Sequence, residues 1–124
     1  RNVYKVYQVM KIEKFEDIIA WQKAKELAVL IYRLFKNNRD FGFKDQIQRA
    51  VISISNNIAE GFERRGDTEL KRFLFISKGS CGEVRSMSYI AEELKYATTI
   101  DCVKIRQESV TISKMLSAFI KKLQ

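Results

Sequence analysis

Apolar residues recur every three or four positions along most of this chain, a spacing that places them on one face of an α-helix. Because the connections between the predicted helices are short, consecutive helices should be antiparallel neighbours. We therefore predict an all-α fold, an antiparallel up-down-up-down four-helix bundle. The predicted helices cover about residues 16–36, 43–62, 67–97 and 101–123. Residues 15–124 would form this single domain and residues 1–14 an N-terminal extension, with Met10 a candidate start that would leave residues 1–9 upstream.

The third predicted helix combines a core stripe with a patch of small residues, which comprises Ser77, Gly79, Ser80, Cys81 and Gly82. Gly79 and Gly82 each cost about 1 kcal/mol of helix stability relative to alanine, so their presence calls for a packing reason. Tight packing inside the chain is the expected reason, and the alternative is close approach of a second subunit. Asp67 is the expected N-cap of this helix. Its core stripe comprises Leu70, Phe73, Leu74, Ser77, Cys81, Val84, Met87, Ala91 and Leu94.

Composition supports the helical prediction and excludes some classes of function. Proline is absent and glycine occurs only 5 times, which favours long helices over turn-rich β-structure. Histidine is also absent, and Cys81 and Cys102 are too far apart for a C-x-x-C pair, which argues against a metal site. Two lone thiols suit a reducing cytoplasm, and no apolar run is long enough to cross a membrane. We therefore predict a cytoplasmic protein with no metal, no other cofactor and no membrane partner.

A row of hydrogen-bonding side chains lies beside the apolar stripe of the second predicted helix. Amides and short hydroxyls suit partly buried networks, because each donor can be satisfied at a fixed geometry. Three interpretations stay open: a polar seam within the bundle or between subunits, a ligand or nucleic-acid contact surface, and an active site. We expect neighbouring helices or a neighbouring subunit to cover Gln46, Arg49, Asn57 and Glu60, and Arg49 and Glu60 to have partners elsewhere. The whole row comprises Gln46, Arg49, Ser53, Asn56, Asn57 and Glu60.

A net charge of +8 makes the chain attractive to polyanions such as nucleic acid. Lys71, Lys78 and Arg85 recur every seven residues along the third helix and form a near-straight stripe that can follow phosphates. A merely solvated face is the alternative. The full candidate nucleic-acid-binding set is Arg64, Arg65, Lys71, Arg72, Lys78 and Arg85. Candidate positions for stacking on unpaired bases are Phe62, Phe75, Tyr89 and Tyr96, with core packing expected for the two phenylalanines.

Catalysis has no support in the residue pattern. Glu60 lacks a second titratable group placed beside it, and no histidine or nucleophile–base pair is visible. We therefore predict a non-enzymatic oligomeric module that binds RNA or DNA through its basic surface. The alternative is a structural or protein-interaction adaptor whose charge serves solubility alone.

Three stretches of the chain resemble the bacterial 23S rRNA intervening-sequence proteins. They are FEDIIAWQKAKELAVLIYRL at 15–34, FGFKDQIQRAVISISNNIAEGFERR at 41–65 and ELKRFLFISKGSCGEVRSMSYIAEEL at 69–94. Ser55 stands where the family typically has proline, so the second helix can run straight. The resemblance implies a four-helix bundle, a ring-like homopentamer and no catalytic residues. A more distant likeness to the accessory proteins of diversity-generating retroelements implies nucleic-acid binding and a reverse-transcriptase partner.

Overall fold

A computed structural model describes residues 11–123, and these residues form four α-helices preceded by a short 3-10 helix. The described part of the chain contains no strand, which confirms the all-α prediction. Residues 1–10 of the predicted extension, including Met10, lie outside the described residues. The elements are the 3-10 helix Phe15–Asp17, α1 Ile19–Leu34, α2 Phe41–Glu63, α3 Asp67–Glu93 and α4 Thr99–Lys122.

The four helices pack as a closed bundle. α1 packs on α2, α2 on α3, α3 on α4, and α4 returns to α1. The connections at 35–40, 64–66 and 94–98 are too short to cross the bundle, so each helix runs antiparallel to the one before it. This arrangement confirms the up-down prediction. It also places α3 between α2 on one side and α4 on the other, which gives α3 two different seams.

The core consists of the apolar stripes that the sequence pattern indicates. Ile12, from the predicted extension, is buried and joins this core. In α2, Ser55 donates to the carbonyl of Ile52, and the helix continues without a break. The largest fully buried side chains are Phe35, Leu27, Ile31, Ile47, Ile54, Ile58, Leu70, Leu74, Ile105, Ile112, Leu116 and Leu123.

α3 ends earlier than its apolar pattern predicts. The backbone N–H of Tyr96 donates to the carbonyl of Ala91 at 2.8 Å, and the N–H of Lys95 donates to the carbonyl of Glu92 at 3.1 Å. These two bonds form a Schellman motif, with Lys95 at a φ of +58° in the position where glycine is common. Leu94, which we expected in the core stripe, therefore lies at the helix end and is 53% exposed.

Helix starts also correct two sequence-based expectations. Gly66, with a φ of +90°, is the N-cap of α3, so Asp67 is its first helical residue rather than the cap. Glu16 and Asp17, expected in the first turn of the first helix, lie in the 3-10 helix instead. There the carboxylate of Asp17 accepts hydrogen bonds from the backbone N–H groups of Glu13 and Lys14. This local capping holds the chain out of the α-helix until Ile19.

A latch joins the two loops at one end of the bundle. The hydroxyl of Tyr96 donates to the carboxylate of Asp40 at 2.6 Å and thereby links the α3–α4 connection to the α1–α2 connection. Asp40 is also the N-cap of α2, because its carboxylate accepts a hydrogen bond from the backbone N–H of Phe43. The ring of Phe43 packs edge-on against both Phe35 and Tyr96. Polar and aromatic contacts thus close this end together.

Candidate nucleic-acid interface

Ser53 and Asn57 of the polar row lie in the seam between α2 and α3. The side-chain amide of Asn57 donates to the Ser53 carbonyl at 2.7 Å and to its hydroxyl at 2.8 Å. From α3, the hydroxyl of Ser80 donates to the Ser53 hydroxyl at 2.9 Å, and Ser77 donates to the carbonyl of Ile54 at 2.7 Å. The two Asn57 bonds lie within α2, and the bonds from Ser77 and Ser80 join α3 to α2. This part of the row therefore forms a polar seam inside the chain.

The remaining members of the polar row are exposed in the isolated chain. Gln46 reaches α3, where its amide donates to Glu83, but Gln46 itself stays exposed. Neighbouring helices therefore do not provide the expected cover for these residues, because they point away from the core on the outer side of α2. Cover by a second subunit stays a prediction. The exposed members are Gln46, Arg49, Asn56 and Glu60.

Arg49 and Glu60 pair locally, contrary to the expectation that their partners lie elsewhere. The guanidinium of Arg49 bonds to the carboxylate of Asp45 at 2.9 Å, and that of Arg64 bonds to Glu60 at 2.7 Å. Both are pairs of residues four positions apart, the spacing at which oppositely charged side chains meet on a helix. This four-residue spacing of opposite charges is visible in the sequence.

Two of the six candidate basic residues belong to an ion-pair cluster beside the α2–α3 turn. We call this the paired cluster; it comprises Arg64, Arg72, Glu60, Glu69 and Phe73. Arg72 donates two hydrogen bonds to Glu69, at 3.0 and 3.3 Å. Both guanidinium groups also stack over the Phe73 ring, at 5.1 Å for Arg64 and 4.6 Å for Arg72. The Arg72 hydrogen bond, followed by attraction from Arg72 and Arg64, lowers the pKa of the Glu69 carboxyl.

The heptad stripe differs, because its three cations have no ion pair with any acidic residue of the described chain. Lys71 and Lys78 are half-buried at the edge of α3, and Arg85 is exposed. At 3.6 residues per turn, the three positions fall within about 40° of one another on the helix circumference. We call Lys71, Lys78 and Arg85 the unpaired stripe. Arg65, the sixth candidate, is exposed in the turn before α3.

Arg106 of α4 contacts three residues near the C-terminal end of α3. Its guanidinium bonds to the carboxylate of Glu92 at 2.6 Å and to the Ser88 hydroxyl at 3.4 Å. It also lies 4.1 Å from the centre of the Tyr89 ring. Sequence periodicity does not reveal this contact, because Arg106 lies on a different helix from Glu92, Ser88 and Tyr89.

The candidate stacking residues divide into exposed and engaged rings. Tyr89 is 57% exposed, and Phe75, where core packing was expected, is 55% exposed. That expectation was wrong for Phe75, since its position lies on the outer arc of α3, but Phe62 does pack against the core. Tyr96 is half-buried and donates to Asp40 in the latch. Of the four candidates, Phe75 and Tyr89 are therefore the exposed rings, and Arg106 lies over that of Tyr89.

The small-residue patch of α3 is packed inside the chain only in part, since Ser77, Ser80 and Cys81 are buried but Gly79 and Gly82 are exposed. A Cβ added at Gly79 or Gly82 would meet nothing within 4 Å, so the expected reason for these glycines is wrong. The close approach occurs instead at Gly61 of α2, where a Cβ would lie 2.7 Å from the Cβ of Phe73. Both glycines of α3 therefore lie at the surface of the described chain.

Metal-ligating side chains do not cluster within the described residues. No cluster of three or more Cys, Asp or Glu side chains there has metal-binding geometry. Cys81 and Cys102 are both buried free thiols. No helix in the described region is both long and apolar enough to cross a membrane.

Comparisons with known proteins agree with the resemblance carried by the three stretches. The chain is similar to a protein of unknown function from the S23 ribosomal protein family of Bacteroides thetaiotaomicron, with 25% identity and a TM-score of 0.77. This likeness covers 82% of this chain and 98% of that one. No curated protein matches the chain. The family model described as 23S rRNA-intervening sequence protein matches residues 16–118, and the chain therefore belongs to that family.

Proposed function

We propose that this protein is a non-enzymatic module that binds the phosphate backbone of RNA or DNA. The observation that supports the proposal is the unpaired stripe: Lys71, Lys78 and Arg85 have no acidic partner among the described residues. Cations without partners carry mobile counterions, and a phosphate chain that displaces them gains free energy. Seven residues of helix rise about 10 Å, so the stripe extends over about 20 Å, which is the length of several nucleotides.

A homopentameric ring would strengthen such binding without adding contacts to any one subunit. When one strand reaches several identical sites, the later contacts form within the same complex, so weak affinities multiply. The ring and the reverse-transcriptase partner are implied by family resemblance and belong to this proposal. Light scattering tests the ring directly, because a monomeric mass at working concentration would contradict it.

Salt-dependent binding is the main test. A fluorescent 20-nucleotide single strand, as RNA and as DNA, is titrated with protein from low to physiological salt. The triple variant Lys71→Gln, Lys78→Gln, Arg85→Gln should bind more weakly and should lose about 2 from the slope of log affinity against log salt. Unchanged affinity would contradict the assignment of the stripe, and failure of the native protein to bind at low salt would contradict the function.

A matched control tests whether the effect depends on position or only on charge. Lys25, Arg33 and Lys36 are exposed cations of α1 and the residues just after it. The triple variant Lys25→Gln, Arg33→Gln, Lys36→Gln removes the same charge from another face. The proposal expects this variant to retain most of the affinity, with a slope close to that of the native protein.

An adaptor function is the second candidate, and the outer face of α3 favours it. Four large apolar side chains there are substantially exposed around the open glycines Gly79 and Gly82. Such a face allows another backbone to come close, which suits protein contact. The exposed apolar side chains are Phe75, Ile76, Tyr89 and Ile90. Oligomer formation together with no nucleic-acid binding at low salt would favour this function over the first.

A further inference from the structure

A small polar groove lies between α3 and α4, directly under the unpaired stripe. It has a volume of about 170 Å³, below the range of about 300–1,000 Å³ that is typical of pockets for drug-sized ligands. A groove of this size suits a single small group. Its lining residues are Lys78, Cys81, Gly82 and Arg85 of α3 and Ser109, Val110 and Ser113 of α4.

The groove carries positive charge and no negative charge. Lys78 and Arg85 lie one on each side of Gly82, and no carboxylate lines the groove. Burial raises the pKa of the Cys81 thiol to about 12, although nearby Lys78 acts in the opposite direction. The thiol is therefore neutral at pH 7 and does not offset the two cations.

The serine hydroxyls of the groove wall also favour an anionic ligand. The Ser109 hydroxyl already donates to the carbonyl of Ile105 at 2.8 Å. Ser113 is half-buried in the groove wall, and its hydroxyl has no hydrogen-bond partner in the described chain. Gly82 leaves the entrance open, because a Cβ there would meet nothing within 4 Å. Two cations, one available hydroxyl and open space are the elements that recognise a tetrahedral oxyanion.

We infer that this groove binds one phosphate group, held by Lys78 and Arg85 with a hydrogen bond from Ser113. The inference deepens the proposed function, on which it rests where the phosphate belongs to a nucleic-acid backbone. A free phosphate or pyrophosphate presents the same chemistry. The groove thereby acts as an anchor point within the stripe, with Lys71 extending the positive track two turns away.

The sharpest test adds a carboxylate at the groove entrance. Gly82→Glu places the new side chain four residues after Lys78 and three before Arg85, where it can neutralise both. Gly79→Glu is the matched control: its Cβ is equally unobstructed on the same helix, but Gly79 does not line the groove. Glutamate is the better helix former at both positions, so both variants should fold, and circular dichroism checks this.

Pyrophosphate binding is measured by calorimetry in low-salt buffer. One small ligand occupies one subunit, so the result does not depend on multivalent gain from an oligomer. We expect Gly82→Glu to weaken binding about tenfold or more, the loss expected for contacts between charged groups. Gly79→Glu should stay within about twofold of the native protein. Equal weakening by both variants, or no binding by the native protein, would overturn the inference.

A second pair of variants tests the same groove by removing its two cations instead of adding a carboxylate. Lys78→Gln with Arg85→Gln should give the same loss of pyrophosphate binding as Gly82→Glu. Arg33→Gln with Lys36→Gln is the control, because these cations border a groove lined otherwise by apolar groups and Tyr32. If this control loses as much affinity, the effect is one of total charge and the inference is overturned.

Oligonucleotide binding separates this inference from the proposed function. Native protein that binds pyrophosphate in the groove but no RNA or DNA would support the groove and contradict nucleic-acid binding. Native protein that binds RNA or DNA equally well with and without Lys78→Gln and Arg85→Gln would overturn the groove as its anchor. Loss of both ligands in the same variants would identify the backbone phosphate as the group that occupies the groove.

Discussion

Two groups of cations lie on or next to α3, yet they differ in what remains available for a ligand. In the paired cluster, Arg64 and Arg72 bond to glutamates and stack over Phe73. In the unpaired stripe, Lys78 and Arg85 border a groove without any carboxylate. A polyanion would have to displace existing partners in the first group but only counterions in the second. Total charge is therefore a poor guide to a binding surface, and the pairing of each cation is a better one.

The largest expected effect concerns the seam that supports the paired cluster. Gly61→Leu would drive a side chain into Phe73, because even a Cβ at this position lies 2.7 Å from the Phe73 Cβ. Overpacking of this kind costs about 3 kcal/mol. Urea denaturation measures the loss. A stability equal to that of the native protein would mean that α2 and α3 separate easily at this point.

The second largest effect is a difference in oligonucleotide binding between variants of the unpaired stripe and variants of the paired cluster. Lys78→Gln with Arg85→Gln should weaken binding of a single-stranded oligonucleotide about tenfold at low salt. Arg64→Gln with Arg72→Gln removes the same charge but should weaken it less than about threefold, because their partners already neutralise them. Fluorescence anisotropy measures both. An equal loss of affinity in both variants would show that ion pairs within the chain do not limit how well a cation binds the oligonucleotide.

A third effect concerns the glycines of the outer face of α3. Gly79→Ala should raise the free energy of unfolding by about 1 kcal/mol, since alanine is the better helix former and the new Cβ meets nothing within 4 Å. Thermal and urea denaturation at low protein concentration measure the gain. A fall in stability that appears only when the measurement is repeated at high protein concentration would instead indicate that another subunit approaches the backbone at Gly79.

The smallest effect is a dependence on acid pH. The pKa of Glu69 is lowered chiefly by its hydrogen bond from Arg72, so this carboxylate stabilises the fold above its ordinary pKa. That contribution disappears as the pH falls through the lowered folded-state pKa. Arg72→Gln should therefore be slightly less stable than the native protein at pH 7, with the difference shrinking towards pH 3. A difference as large at pH 3 as at pH 7 would contradict this origin, because only the stacking of Arg72 over Phe73 is independent of pH in this range. Lys78→Gln, which breaks no ion pair, is the control.

Helical periodicity predicted the architecture well because the core requires it. A helix that buries one face needs apolar residues every three or four positions, and the stripes of all four helices reflect this. The ends were harder to predict, since they depend on single backbone conformations. Lys95 at positive φ ends α3 before the apolar pattern does, and Gly66 at positive φ displaces Asp67 from the cap.

The candidate site was only partly accessible to sequence reasoning. The heptad spacing identified Lys71, Lys78 and Arg85, because all three lie on one helix. It did not identify Ser113, because the rotation of α4 against α3 decides which side chains of α4 line the groove. Nor did it reveal Gly61, since a glycine near a helix end has the same appearance whether it caps the helix or admits a neighbouring side chain.

The latch formed by Tyr96, Asp40 and Phe43 has a consequence for how the molecule opens. It joins segments separated by 56 positions in the chain, whereas the ion pairs around the turn at 64–66, at the opposite end of α2, are solvent-exposed. Exposed pairs resist separation weakly. Backbone amides beside that turn should exchange their hydrogens with deuterated water sooner than those beside the latch, so transient opening of the bundle would start from the end with the arginines.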